Sequence, residues 1–412
     1  MIYNTLKTKT TIPTIPTRKY IIAFCFFVIF IVSMRFWVGA AERAGYVLSA
    51  INSVLLLLLL LQKITIKYNR INIIPLLCLI SGYFFTRSVI GVNSINYVIS
   101  AYFILTLDES DRIIVFRLIT KYFSILMLFS IVTFIIIKIT NIPSLGLINY
   151  LSIDSDTSYF YSFHKNYIFC TIPLNESIRF NGPFHEPGHL GMMSAFLIFA
   201  NDYSFRKKKE LWLLLVSLLM TLSLAGYVLF IVGYLLLLIE KKKMKVGSFL
   251  SVCVFLGVCG LIYYIGLSYN EGNNLFNEYI LNRLQYDEEK GIVGNNRAHN
   301  LIPIYYEMMW KDFETMLFGY DDKTLKWLIE NGSTGTGFVM NMVRVGVVGT
   351  LFCFLFYLSY FAISKYKRLS FTFLVFVFLI YWQRSYAFWL SWVICYAYGI
   401  LNIAYNRNLK NI

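Results

Sequence analysis

Arg179-Phe-Asn-Gly-Pro-Phe-His-Glu-Pro-Gly-His189 runs directly into the apolar Leu190-Gly-Met-Met-Ser-Ala-Phe-Leu-Ile-Phe-Ala-Asn-Asp-Tyr203, and Arg206-Lys-Lys-Lys209 ends the run. Titratable groups, then an apolar helix, then a basic cluster is the order of a chain that enters a bilayer at one face and stops at the other. Charge and imidazole at the mouth of an apolar span cost several kcal/mol unless they are paired or employed. The stretch therefore reads as a reaction site set beside a membrane.

Composition extends this reading to the whole chain. The 412 residues are 58% hydrophobic, 18% aromatic and 14% charged, with mean hydropathy +0.62, whereas a soluble domain carries roughly 25% charged residues. Apolar runs near the length of a bilayer crossing recur throughout, so the backbone is expected to be α-helical wherever it meets lipid. A net charge of +15 invites a nucleic-acid reading. The basic residues instead sit in short clusters between apolar runs, which is a topology signal, and no nucleic acid is expected. Of the seven cysteines, Cys170 alone falls in a loop, so neither a disulfide framework nor a metal spacing is present.

Spans read at 20–39, 44–62, 71–88, 93–107 and 121–139, then from about 188 to 203 and at 246–267 and 336–361. The apolar stretch 211–239 has basic clusters at both ends, Arg206 to Lys209 and Lys241 to Lys243, so one crossing would put a cluster on the wrong side. Two short helices turning near Ser223 to Tyr227 remove the conflict. The final stretch, 371–404, contains Gln383-Arg384-Ser385 near its middle and reads as a second hairpin. The expectation is one polytopic all-α membrane domain, 1–412, of about twelve spans, with both termini cytoplasmic and two long loops, 140–187 and 268–335, facing outward.

Several patterns then fall in order: Arg179-x-x-Gly182, Glu186-Pro-Gly188 entering a helix, Arg297, Leu317-Phe-Gly-Tyr320 and Val343-Arg-Val-Gly-Val-Val-Gly349. With the many spans and the two large loops, this layout resembles the bacterial Wzy-type O-antigen polymerases, relatives of the O-antigen ligases with a membrane glycosyltransferase fold of the GT-C type. The resemblance covers nearly the whole chain. Arg283 and Gly294 match the family's Arg-x10-Gly loop spacing, which the first loop does not reproduce. The ligases' His-Asn/Ser/Gln, nine residues, Gly-x-x-Gly pattern is met at its tail by Gly346-Val-Val-Gly349, but Gly335 stands where the histidine belongs. Started from His299-Asn300, it meets Trp310 where a glycine belongs.

The resemblance implies transfer of a growing glycan from undecaprenyl diphosphate to another lipid-linked repeat unit at the periplasmic face of the inner membrane. The long loops would then be periplasmic, and a chain-length regulator would be a partner besides membrane lipid. A departing lipid diphosphate gathers negative charge, and arginine forks bind phosphate oxygens bidentately. Arg179, Arg283, Arg297, Arg344 and Arg384 fall on the outer half, with His299 beside Arg297. Arg344 stands about 12 Å into its helix at 1.5 Å per residue, beyond easy snorkelling. Arg35 and Arg87 read as interfacial snorkellers. The acceptor hydroxyl needs a group to take its proton, and Glu186 is the first candidate, His185 and His189 the second. The bland reading of Glu186-Pro187 is a helix start, where an acid and a proline both fit.

His164 reads as a loop residue. Asp154-Ser-Asp156 and Asp321-Asp322 read as polar loop, so no metal and no cofactor is expected. Three rival functions remain: a ligase that moves finished polymer to lipid A-core, a flippase for lipid-linked oligosaccharide, and a non-catalytic assembly partner. A flippase needs ionisable residues at mid-membrane on several helices, whereas here they crowd the outer loops.

Overall fold

The computed structural model describes residues 17–37, 41–61, 72–85, 92–140, 142–155, 158–174, 178–241, 264–287, 291–292, 302–330, 337–384 and 387–408. Fourteen helices are described: α1 (Thr17–Ser33), α2 (Ala41–Leu60), α3 (Ile73–Phe85), α4 (Val92–Thr106), α5 (Glu109–Ile139), α6 (Pro187–Ala200), α7 (Glu210–Met220), α8 (Leu224–Glu240), α9 (Ile302–Met309), α10 (Phe313–Phe318), α11 (Asp322–Glu330), α12 (Gly337–Ile363), α13 (Lys367–Gln383) and α14 (Leu390–Asn408). Among the described residues α2, α5 and α12 are long and apolar enough to cross a membrane, and α3, α6, α7 and α8 are shorter apolar helices. The chain is a helical membrane protein. The expected span 246–267 falls mostly outside the described residues.

Both expected hairpins are pairs of helices. Met220 ends α7, Leu222 takes φ +47, and Ser223 starts α8 by accepting the Gly226 amide on its Oγ. With 11 residues, α7 is about 16 Å long, half of a bilayer core of about 30 Å. The second pair, α13 and α14, is separated by the segment that holds Arg384.

Ion pairs show which helix ends coincide. Asp202, just past α6, takes Lys241 at 2.6 Å and Arg407 at 3.3 Å, and Arg407 also reaches Glu240 at 2.6 Å. Lys19 of α1 meets Asp111 of α5 at 2.7 Å, and Lys365 lies 3.9 Å from Glu109. The beginnings of α1 and α5 and the ends of α6, α8, α12 and α14 thus share one end of the bundle, here the lysine end. The opposite end, the histidine end, holds the start of α6 and the α7–α8 turn, where the Phe180 amide bonds the Met220 carbonyl.

In lipid, helices gain nothing from hiding apolar surface and must instead pack closely. At the α6–α8 crossing a Cβ on Gly226 would come within 2.9 Å of the Gly191 carbonyl carbon, and a Cβ on Gly191 within 2.8 Å of Thr221 Oγ1. These glycines let the backbones touch, which fixes the histidine end of α6 beside the α7–α8 turn. Around this contact runs a core of buried aromatics, including Phe196, Phe199, Phe376 and Trp392.

The expectation of an all-α chain needs correcting at 140–187. Three antiparallel strands, β1 (Leu147–Ser155), β2 (Ser158–Asn166) and β3 (Thr171–Pro173), form a small sheet there in the order β1-β2-β3. An exposed loop must pair its backbone groups somewhere, and a hairpin does so within the loop. The second loop carries a two-residue strand pair, Tyr286–Asp287 with Gly291–Ile292, and the short helices α9 to α11, of which α9 and α10 pack on α12 and α11 meets β2.

That packing explains the Leu317-Phe-Gly-Tyr320 and Val343-Arg-Val-Gly patterns, which meet in space. α12 is broken at Gly346, with φ +63 and ψ −167, and the Tyr320 amide bonds the Val343 carbonyl at 2.9 Å. A Cβ on Gly319 would sit 2.5 Å from the Arg344 carbonyl, and one on Gly346 2.4 Å from that of Leu317.

Candidate active site

The residues from Arg179 to His189 fold as a loop tied down on both sides. The Thr171 amide bonds the Gly182 carbonyl at 2.8 Å, and Thr171 Oγ1 donates to the Phe184 carbonyl at 2.8 Å. Asn181 Nδ2 donates to the His185 carbonyl at 3.3 Å, and His164 Nε2 stands 3.0 Å from that same oxygen. Phe36, past the end of α1, forms an antiparallel bridge with Phe184, and the Trp37 amide bonds the Pro183 carbonyl. Arg35, at φ +58 just before this bridge, lies near enough to His185 for its charge to act on the imidazole.

Glu186 follows in extended conformation, φ −132 and ψ 144, and Pro187 opens α6 with its fixed φ. The Glu186 carboxylate is the hub of the site. Oε2 pairs with Arg384 Nη2 and lies 3.6 Å from His189 Nε2, while Oε1 lies 3.9 Å from His185 Nδ1. The two imidazole distances exceed a hydrogen bond, so their coupling to the carboxylate is electrostatic. Ring centroids of His164 and His185 are 5.5 Å apart, those of His185 and His189 6.1 Å, and His189 meets Trp389 edge-on at 5.0 Å. Arg384 reaches the site from the end of α13.

Charge states follow from these neighbours. Burial pushes the Glu186 carboxyl up, but Arg384, followed by His189 and His185, outweighs burial and holds it well below the usual carboxylate range. Burial pushes the His185 imidazole down to about 4; Glu186 opposes that, and Arg35, His164 and Arg384 add to it. At neutral pH the site thus holds an ionised carboxylate, a guanidinium and a neutral His185 at the mouth of an apolar helix. Such a group can bind an anion, orient a hydroxyl and accept its proton.

The structure joins Glu186, His185, His189 and Arg384 and distributes the other expected residues elsewhere. Arg179 donates to the Thr221 carbonyl at 3.1 Å and the Leu222 carbonyl at 3.3 Å, and stacks over Tyr279 at 5.7 Å, so it closes the α7–α8 turn. Arg344 is half-buried on α12, two residues before the break. Arg283 falls in the turn Asn282–Leu284, while Arg297, His299, Gly294, Arg87 and Asp156 lie outside the described residues. Asp321 caps α11 by accepting the Thr324 amide. Among the described residues no group of three His, Cys, Asp or Glu side chains is arranged to hold a metal ion.

His164 and Arg35 are the participants that sequence reasoning missed. His164 is buried on β2 against the His185 carbonyl, not set in an open loop. A signal existed in the aromatic-rich Ser158-Tyr-Phe-Tyr-Ser-Phe-His-Lys-Asn166 after a run from Leu147 that holds Ile148, Tyr150 and Ile153, a composition that favours strands. No protein-family model, curated protein or solved structure matches the chain.

Proposed function

We propose that this chain is a polytopic membrane glycosyltransferase of the O-antigen polymerase type, acting on undecaprenyl-diphosphate-linked repeat units at the periplasmic face. The observation that carries the reading is the joining of Glu186, Arg384, His185 and His189 at the end of the bundle opposite the lysines. The proposal includes about twelve crossings, with the lysine end and both termini cytoplasmic. Gathering of basic residues at one end supports that orientation.

In this reading the acceptor glycan enters from the loop side and the donor's lipid tail stays in the bilayer. Arg384 offers its guanidinium to the donor diphosphate, and the histidines and Trp389 shape the cavity beside it. Glu186 takes the acceptor proton. Arg344 is a second counter-charge on α12, and a chain-length regulator is the expected protein partner.

Purified chain in lipid nanodiscs, given a lipid-diphosphate-linked repeat unit, should elongate it. Glu186→Gln should slow elongation about 10²-fold or more in a chain that still folds, as judged by its helical circular dichroism. Full activity of this variant would remove Glu186 from the chemistry. A ligase reading keeps one observation on its side, since three histidines gather at the site although the ligase histidine position is Gly335. A product in which polymer moves to lipid A-core would favour it.

A further inference from the structure

Glu186 occupies the N-cap position of α6, yet its side chain caps no amide of that helix. Its carboxylate is turned to Arg384 instead. The amino end of a helix carries about half a positive charge and favours anions, so a guanidinium there stands at the wrong pole. Arg384 nevertheless lies against the first turn, with Nη2 3.6 Å from the point where a side chain on Gly188 would begin. Positive potential from the α6 start and from Arg384 converges on Glu186, which offsets it, and Arg35 adds to the positive potential at His185. Both members of the pair are reachable, the Glu186 side chain being 33% exposed and that of Arg384 20%.

We infer that Arg384 is an exchangeable partner: it holds Glu186 in the resting chain and turns to the diphosphate of an arriving lipid-linked donor, leaving Glu186 to act as the base. This rests on the polymerase reading. The acceptor hydroxyl oxygen then forms a bond to the anomeric carbon while the bond from that carbon to the diphosphate oxygen breaks. The electron pair leaves on the diphosphate, where Arg384 and the α6 amides meet it, and the hydroxyl proton passes to a Glu186 oxygen. The ion pair thereby withholds the base until a donor is seated, which protects the donor from attack by water.

The charge balance at Glu186 supports the exchange. Burial raises the carboxyl and Arg384 is the largest effect against it, so withdrawing Arg384 makes Glu186 a stronger base. The groups facing the carboxylate are Arg384 from the end of α13, His189 from α6 and His185 from the loop. Arg35 past α1 and His164 on β2 stand behind His185.

Infrared difference spectra of the full chain in nanodiscs, titrated with acid, test this with inorganic pyrophosphate as probe and Glu186→Gln to assign the carboxyl band. Pyrophosphate should raise the Glu186 midpoint by about 1–3 pH units, the usual effect of an adjacent guanidinium. Arg384→Gln should show the raised midpoint without pyrophosphate and no further rise with it. Arg384→Lys keeps the charge and should stay close to wild type at rest. A midpoint that pyrophosphate leaves in place, or an Arg384→Gln chain that titrates like wild type, overturns the exchange. If the chain fails to elongate glycan but its midpoint still rises, the polymerase reading falls and the exchange stands; elongation with a fixed midpoint gives the reverse.

Discussion

His185 and Glu186 are neighbours in sequence held in opposite states, one neutral and one ionised. Burial dominates at the imidazole and Arg384 at the carboxylate. An unfolded histidine takes a proton near 6.5 and His185 in the fold near 4, so its protonation favours unfolding as pH drops through that window. Because the folded imidazole stays neutral down to about 4, the elongation rate of the folded chain should hold its value from pH 7 to about 5 and fall near 4. An initial-rate profile with an acid limb centred near 6.5 would mean that His185 is exposed or uninvolved. The sequence made Glu186, His185 and His189 legible because they are contiguous and face an apolar run. It also supplied Arg384, but its pairing with Glu186 joins residues 198 apart in the chain, and no local pattern encodes that contact. Arg35 was hidden for the same reason, since its relevance comes from the bridge between Phe36 and Phe184.

Among the elements, α12 shows where hydropathy stops being informative. Its 27 residues read as one apolar run, and a break at Gly346 changes nothing in such a pattern. The break positions the second loop through the Tyr320 amide and the Val343 carbonyl. A φ of +63 with ψ −167 belongs to a region that residues with a Cβ essentially avoid, at a strain of about 1–3 kcal/mol, and a Cβ there also runs into Leu317. Gly346→Ala should lower the thermal unfolding midpoint in detergent by about 1–4 °C, at roughly 1 °C per kcal/mol for a chain of this size. An unchanged midpoint would show that the contact between the Leu317 turn and α12 contributes nothing. The first hairpin was legible because basic clusters at both ends of one apolar stretch forbid a single crossing, and the second because Gln383-Arg384-Ser385 interrupts an apolar stretch near its middle. The sheet of the first loop was not foreseen, because hydropathy separates apolar spans from polar loops and says nothing about strand pairing inside a loop.

At the scale of the molecule, charge divides the bundle into two ends. Lysine and arginine pairs with Asp111, Asp202 and Glu240 tie helix termini together at one. The first loop's sheet, the histidines and the Glu186–Arg384 pair occupy the other. A catalyst that works on lipid-linked glycan needs this division, with apolar walls for the lipid and an ion-rich mouth for the diphosphate and sugars. In the proposed function this mouth polymerises repeat units. The most direct test is the surface-polysaccharide banding pattern of a host strain deleted for this gene and complemented, at matched expression, with wild type, Glu186→Gln or Arg344→Ala. The account predicts lipid A-core bearing a single repeat unit in the deletion, a full ladder with wild type, and no ladder with Glu186→Gln or Arg344→Ala. Bare core, with finished polymer accumulating on the lipid carrier, would contradict it and assign the chain to ligation.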